Sequence, residues 1–115
     1  MLNDELSQFY GTENYYKQPL YPSFRYTDGI KFMAEVYKAY WILDFIFSNQ
    51  LKPKIGKAPF QIWLIKVNRD NSCIITCKED SDQPNLLRNK IEYTDLSDSI
   101  QLYFIDGVLL LPSEY

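Results

Sequence analysis

The last stretch of the chain, IQLYFIDGVLLLPSEY at residues 100–115, decides the fold. Two apolar runs, 100–105 and 108–111, flank Asp106-Gly107, the residue pair that favours a two-residue type I′ hairpin turn. Pro112 then ends the second run because proline cannot donate to a strand ladder. The tail is therefore predicted to be the return strand of a hairpin. A strand this apolar would promote aggregation if its edge were left unpaired. We therefore expect a helix or the N-terminal segment to cover it.

The residues before this hairpin alternate with the period of β-strands. Three further strands are expected at residues 60–67, 73–78 and 86–93. The strand at residues 60–67 is apolar on both alternating sets, as in a central strand. In the strand at residues 86–93, Leu87, Ile91 and Tyr93 are expected to face the core. Residues 59–115 are thus predicted to form an antiparallel meander of four or five strands.

A single long helix is predicted over residues 27–50, with Thr27 or Asp28 as its N-cap. At 100° per residue its apolar stripe contains Ile30, Met33, Ala34, Tyr37, Trp41 and Phe45. Residues 39–47 are apolar nearly all round except for Asp44, which projects within the stripe and is expected to be buried. Such a half-helix is covered either by its own chain or by a second copy, in a homodimer through Ile42, Ile46 and Phe47.

Residues 1–26 are rich in aromatic side chains and turn formers. We expect a short helix near Asp4–Phe9, followed by an irregular segment wrapped over the core. With 115 residues the chain fits one domain, 1–115. The predicted fold class is α+β, with one long helix packed on the antiparallel meander.

Charge and hydropathy limit the classes of partner. The net charge is −3 and the pI about 4.8, and no stretch concentrates Lys or Arg, so nucleic acid is not an expected partner. No apolar run approaches the roughly 18–20 residues that span a bilayer. The acidic N-terminus lacks the basic start of a signal peptide. We therefore expect a cytoplasmic protein with no membrane contact.

The absence of histidine excludes whole classes of catalytic chemistry. Ser-His-Asp and Cys-His systems and most zinc sites require it, and the chain has none. Cys73 and Cys77 share one strand face about 13 Å apart, too far for a disulfide. The four glycines are isolated, so no phosphate-binding loop is present. We expect no metal and no cofactor, and a non-enzymatic role is favoured.

Several short motifs together resemble a family of small uncharacterised bacterial proteins that also occur on mobile elements. The resemblance lies in Gly11-Thr12-Glu13, Tyr26-Thr27-Asp28-Gly29, Ala39-Tyr40-Trp41, Phe60-Gln61-Ile62-Trp63, Ile91-Glu92-Tyr93-Thr94-Asp95 and the closing Gly107–Tyr115 segment. It covers nearly the whole chain. It implies a stand-alone domain of unknown function and carries no catalytic residues onto these positions.

Two groups of residues are candidate binding sites. Asp44, between Trp41 and Phe45 in the helix, is either a desolvated general acid with a raised pKa or a core carboxylate satisfied by hydrogen bonds. The pairs Tyr15-Tyr16 and Tyr40-Trp41 either anchor a partner or fill the domain's own core.

Other carboxylates have two interpretations. Glu13, Asp28 and Asp95 form a cluster only if the N-terminal loop folds against both Tyr-Thr-Asp motifs; otherwise these motifs are caps and turns. Glu114 and Tyr115 are either a tail that a partner reads or, as we favour, a segment in which Tyr115 folds back on the sheet and locks the hairpin.

Three functional hypotheses follow. The first is a non-enzymatic protein-interaction or regulatory domain that forms a homodimer through Ile42, Ile46 and Phe47. The alternative is a small-molecule-binding protein or modest enzyme with a Tyr-lined pocket and Asp44 as its polar group. The third, suggested by the mobile-element resemblance, is an acidic counter-defence protein.

Overall fold

Helices cover one face of a seven-stranded sheet in the computed structural model, which describes residues 2–115. The helices are α1 (Leu2–Leu6), α2 (Asp28–Val36), α3 (Tyr40–Asn49) and α4 (Pro53–Gly56), and a 3-10 turn follows at Pro112–Glu114. The strands are β1 (Tyr15–Gln18), β2 (Tyr21–Thr27), β3 (Phe60–Val67), β4 (Cys73–Lys78), β5 (Leu87–Ile91), β6 (Ile100–Ile105) and β7 (Val108–Leu110). The α+β class is confirmed.

The strand order is β1-β2-β7-β6-β3-β4-β5, and the sheet is mixed. Strands β2 and β7 run parallel, and every other neighbouring pair is antiparallel. The prediction of a purely antiparallel meander of four or five strands is therefore wrong. The two extra strands come from the N-terminal segment, whose short Gln18–Tyr21 connection carries none of the glycine or asparagine signals of a tight hairpin.

The predicted tail hairpin is confirmed. Asp106 and Gly107 both have positive φ, at 50° and 79°, as a type I′ turn requires, and Ile105 pairs with Val108 across it. The other edge of β7 is paired with β2, where Arg25 lies opposite Val108. The N-terminal segment thus covers the apolar tail by joining the sheet as a hairpin, instead of wrapping over the core as an irregular segment.

The predicted long helix is two helices. Thr27 is the N-cap of α2, as expected, but Lys38 adopts φ 53° and turns the chain before α3 begins. A straight helix over residues 28–50 would be about 35 Å long, whereas the longest dimension of the molecule is 34 Å. The break lets the apolar α3 lie on the sheet with Ile42, Leu43 and Ile46 fully buried.

The core lies between the helices and the inner face of the sheet. Trp63 is the largest fully buried side chain, and its indole N–H donates to Gln61 at 3.0 Å. Gln61 is itself only 1% exposed, and it exchanges hydrogen bonds with Gln50 at 2.8 Å. Phe47 packs against Phe24 and Phe104, with ring centroids 5.4 and 6.1 Å apart. The buried amide network is satisfied, as buried polar groups must be.

Two smaller expectations are corrected at the ends of elements. The first helix is Leu2–Leu6, which buries Leu2 and Leu6, and not Asp4–Phe9. Strand β5 ends at Ile91, so Tyr93 lies outside it and is 62% exposed, although Leu87 and Ile91 do pack on the core. Among residues 2–115, no helix is long and apolar enough to cross a membrane.

Candidate functional site

The acidic residue of the first Tyr-Thr-Asp motif holds the N-terminal loop. One carboxylate oxygen of Asp28 accepts from the Tyr16 hydroxyl at 2.8 Å, and the other accepts from the backbone N–H groups of Glu13 and Asn14 at 3.0 and 3.3 Å. The hydroxyl of Thr12 also donates to it at 3.1 Å. These bonds, the one from Tyr16 first, lower the pKa of Asp28 from its ordinary value.

Glu114 of the closing segment caps the same end of α2. Its carboxylate accepts from the Thr27 hydroxyl at 2.6 Å, the Leu111 N–H at 3.0 Å and the Gly29 N–H at 3.1 Å. A side chain at position 29 has no room, since a Cβ there would lie 2.5 Å from Leu111 and 2.9 Å from Glu114. The Tyr-Thr-Asp-Gly and Pro-Ser-Glu-Tyr motifs therefore meet, and both serve the fold.

The three carboxylates named in the sequence do not form a cluster. Glu13 contacts Asp28 only through its backbone, and Asp95 accepts from the Tyr93 hydroxyl at 2.7 Å in a turn of its own. No group of three Asp, Glu or Cys side chains in residues 2–115 is placed to hold a metal ion. The interpretation of both motifs as caps and turns is confirmed.

Two of the predicted site residues, Tyr40 and Asp44, line one groove. They project from the same face of α3, four residues apart, and the groove of about 530 Å³ is completed by Tyr26, Gln18, Pro19 and Leu20. Desolvation, followed by the nearby Tyr26, raises the pKa of Tyr40 to about 12. The Tyr40 hydroxyl therefore acts as a neutral hydrogen-bonding group at physiological pH.

The expectation that Asp44 is buried is wrong. Its side chain is exposed, because the break at Lys38 rotates α3 relative to α2 and takes Asp44 out of the continued stripe. No hydrophobic pocket encloses it, so the premise of a desolvated general acid is missing. Its remaining chemistry is that of a surface carboxylate at the mouth of the groove.

The other predicted aromatic anchors are dispersed. Tyr16 packs on Tyr26 at 5.6 Å and lies beneath the Lys31 ammonium at 4.5 Å. Trp41 is half-buried against the core, and Tyr15 is 56% exposed on the edge strand β1. The structure thus brings Tyr40 and Asp44 together, with Tyr16 one ring away, and separates Trp41 and Tyr15 from them.

The apolar half-helix is covered within the chain. Ile42, Ile46 and Phe47 are all fully buried between α3 and the sheet. Of the two alternatives, coverage by the chain itself is the one observed, and it leaves no surface of these side chains for a second copy. Any partner must bind elsewhere on the molecule.

No helix covers the sheet face opposite the core in residues 2–115, and we call this surface the open face. Its apolar side chains alternate with buried ones along each strand and do not pack against the core. They are Phe60, Ile62 and Leu64 of β3, Ile74 of β4, Tyr103 and Ile105 of β6, and Val108 of β7. Leu64 is 40% exposed.

The C-terminal residue joins this face. Tyr115 packs on Phe60 and Tyr103, with ring centroids 6.0 and 5.8 Å away, and it remains 77% exposed. The favoured interpretation, that Tyr115 folds back on the sheet, is confirmed. Whether it locks the hairpin stays a prediction, because so exposed a ring buries little surface.

Sequence reasoning missed the open face for an identifiable reason. Strand β3 is apolar on both alternating sets, which indicates a strand covered on both sides. Only the Gln61, Trp63 and Ile65 set is buried. The number of predicted helices was the available signal, since the one long helix expected over residues 27–50 can cover only one face of a sheet.

The cysteines carry no exposed thiol. Cys73 and Cys77 are free, as expected, and both are fully buried on the inner face of β4. Burial raises the pKa of both thiols, that of Cys77 to about 12. Neither is available as a thiolate nucleophile near neutral pH.

Comparison with known proteins gives a family and no activity. No curated protein and no solved structure matches the chain. The family of unknown function DUF6876 matches over residues 1–115, the whole chain. The chain, including the motifs that form the α2 cap and the loop around Asp28, therefore belongs to the DUF6876 family.

Proposed function

We propose that this protein is a non-enzymatic interaction domain that binds another protein through the open face of its sheet. The observation that carries the proposal is one-sided packing: the helices cover the inner face, while seven apolar side chains and Tyr115 line the other. Leu64 and Tyr115 are exposed, and the remaining six are half-buried. Exposed apolar patches of this kind mark interaction sites in soluble proteins. A cytoplasmic location and a regulatory role stay predictions.

The arrangement has the anatomy of a protein interface. Aromatic side chains are enriched in such interfaces, and Phe60, Tyr103 and Tyr115 form a contiguous group at one end of the open face. A depression of about 140 Å³ lies beside them, between Ile62 and Leu64 on one side and the β4–β5 loop on the other. Anchor residues of a partner bind in pockets of this kind.

The proposal is tested by comparing what three variants retain from a lysate of the native host. The wild type, the open-face variant Leu64→Ser/Tyr103→Ser and the matched control Leu51→Ser are immobilised in equal amounts. Leu51 is 81% exposed and follows α3, away from the open face. A protein retained by wild type and control but lost from the open-face variant, and bound stoichiometrically when purified, supports the proposal. Equal retention by all three overturns it.

One observation favours a second candidate, a small-molecule-binding protein. Tyr26, Tyr40 and Asp44 share the groove described above. Native mass spectrometry of protein from its own host tests this role: a bound mass of a few hundred daltons should be present on the wild type and absent from Asp44→Asn. An unliganded wild type, or equal loading of both proteins, contradicts it. The counter-defence role stays a prediction from the resemblance.

A further inference from the structure

The charges of this acidic protein are sorted between its strands and the rest of the chain. Within residues 2–115, no Asp or Glu lies in any of the seven strands, whereas six of the twelve Lys and Arg residues do. These six are Lys17, Arg25, Lys66, Lys78, Arg88 and Lys90. The remainder of the chain holds six positive and fifteen negative side chains, a balance of −9.

All six strand cations lie on the open face. Tyr16 and Tyr26 face the helices, so their neighbours Lys17 and Arg25 face the opposite way. The strand register places the others in rows across the sheet. These rows are Lys66–Ile74–Lys90, Leu64–Thr76–Arg88 and Ile62–Lys78.

These cations form no ion pair within residues 2–115, although Lys90 lies close enough to Asp70 for its charge to help lower the pKa of that carboxyl. The ion pair found among residues 2–115 is Lys31–Glu35 at 3.8 Å, on α2, and it involves none of the six. If charge on this face served only solubility, carboxylates would serve as well. Strand cations that surround an apolar centre are the pattern of electrostatic complementarity to a negative partner.

We infer that the open face binds an acidic amphipathic segment of a partner protein; this inference rests on the proposed function. Apolar side chains of the segment contact Phe60, Ile62 and Leu64 along β3. Its carboxylates meet Lys78, Arg88 and Lys90 on one flank and Arg25 on the other. From Phe60 to Lys66 the strand is about 20 Å long, a length that about 13 helical residues span.

Two other occupants fit the open face less well. A second copy would bring two sets of six cations together, at a cost in repulsion. Single-stranded nucleic acid needs flat rings on which bases stack, but Tyr103 and Tyr115 pack edge to face at 86°. The centre between the cations is aliphatic, with Ile62, Leu64 and Ile74, and suits the side chains of a peptide.

The protein's own β4–β5 loop places negative charge at the rim of this face. Ser81 of the loop lines the depression beside Ile62 and Leu64, and Glu79, Asp80 and Asp82 flank it in the sequence. An acidic segment bound on the open face would be repelled by this loop. Removing one of these charges should therefore strengthen binding of a negatively charged partner and not of a positively charged one.

The test uses labelled synthetic peptides of about 16 residues, long enough to span the face. The acidic probe has leucine at the helical spacing i, i+3, i+4 and i+7, with glutamate and alanine elsewhere. A second probe replaces glutamate with lysine. A third probe is a 15-nucleotide oligo-dT. Fluorescence anisotropy is measured at about 20 and about 300 mM NaCl, since screening weakens exposed charge contacts. Thermal unfolding confirms that each protein variant is folded.

We expect the acidic probe to bind more tightly than the lysine probe, and at least tenfold less tightly at high salt. Lys78→Glu/Arg88→Glu should weaken it at least tenfold, while the matched control Lys54→Glu/Lys57→Glu, on the helix side, changes it less than twofold. Asp82→Asn should strengthen it about twofold, as one exposed charge contact allows.

Three results overturn the inference. Equal binding of the acidic and lysine probes, or equal loss in the control variant, shows that charge does not select the partner. No binding of the acidic probe contradicts the inference directly. Tighter binding of oligo-dT, with loss in Lys78→Glu/Arg88→Glu, assigns the face to nucleic acid. In the first two cases the lysate comparison with Leu64→Ser/Tyr103→Ser decides the proposed function separately.

Discussion

Truncation of Glu114 should destabilise the whole domain, although this residue is the last but one of the chain. Glu114→Ala removes the acceptor of the Gly29 N–H, the Leu111 N–H and the Thr27 hydroxyl. Gly29 and Thr27 are buried, so these donors are left without a partner. It also removes a negative charge from the positive end of α2.

The expected loss in the free energy of unfolding is about 2–4 kcal/mol. Each buried donor left unpaired costs about 1–3 kcal/mol, and the helix dipole adds about 0.3–1 kcal/mol. We take the lower part of the sum because Glu114 is half-buried and water can replace some of its contacts. At about 4 °C per kcal/mol for a chain of this size, Tm should fall by about 8–16 °C.

Urea and thermal unfolding, followed by circular dichroism, measure this loss. Glu114→Gln keeps one acceptor oxygen and should lose about half as much. The matched control is Glu92→Ala, an exposed carboxylate for which no hydrogen bond or ion pair is found in residues 2–115, and its stability should change by less than about 0.5 kcal/mol. A loss of less than about 0.5 kcal/mol in Glu114→Ala would refute the reasoning that the tail caps α2.

Three further outcomes are expected. Gln61→Leu should lower the free energy of unfolding by about 2–4 kcal/mol in urea titrations, because it leaves the Trp63 N–H unpaired in the core; a neutral substitution would show that the amide network is dispensable. The lowered pKa of Asp28 means that its charged form stabilises the fold, a contribution present above the ordinary value of 3.8 and lost as pH falls through the folded-state pKa. The Tm of Asp28→Asn should accordingly lie below that of the wild type at neutral pH and converge with it in acid; parallel curves would contradict this. Cys73 and Cys77 should not react with a thiol reagent at pH 8 in the folded protein and should both react in urea, because burial raises their pKa; rapid labelling of the native protein would show that the inner face of β4 is open.

Local signals in the sequence predicted the elements whose chemistry is local. Asp106-Gly107 is compatible with a type I′ turn in any context, and Thr27 is a good N-cap wherever a helix follows it. The same holds for two cysteines kept apart on one strand. These features depend on neighbours within a few residues, which the sequence displays.

The candidate site depended on longer-range geometry. The residues Tyr40 and Asp44 were identified from the sequence, but their partner Tyr26 comes from a strand that the sequence did not reveal. The burial of Asp44 was predicted on a straight helix, and a single left-handed residue, Lys38, reversed it. The backbone conformation of this one residue thus changed which side chains face solvent over the next ten residues.

The sequence by itself determined the α+β class, the tail hairpin, the capped helix and the absence of histidine chemistry, because each follows from the residue types and their spacing. Only the tertiary structure decided that β2 pairs in parallel with β7, and that six cations scattered from Lys17 to Lys90 lie on one face. Strand alternation gives each residue a side, but the order of strands across the sheet decides which residues share it. The strand order is set by pairing between residues far apart in the sequence. Which face stays open is set by the limited number of helices available to cover it. No short stretch of the chain contains either piece of information.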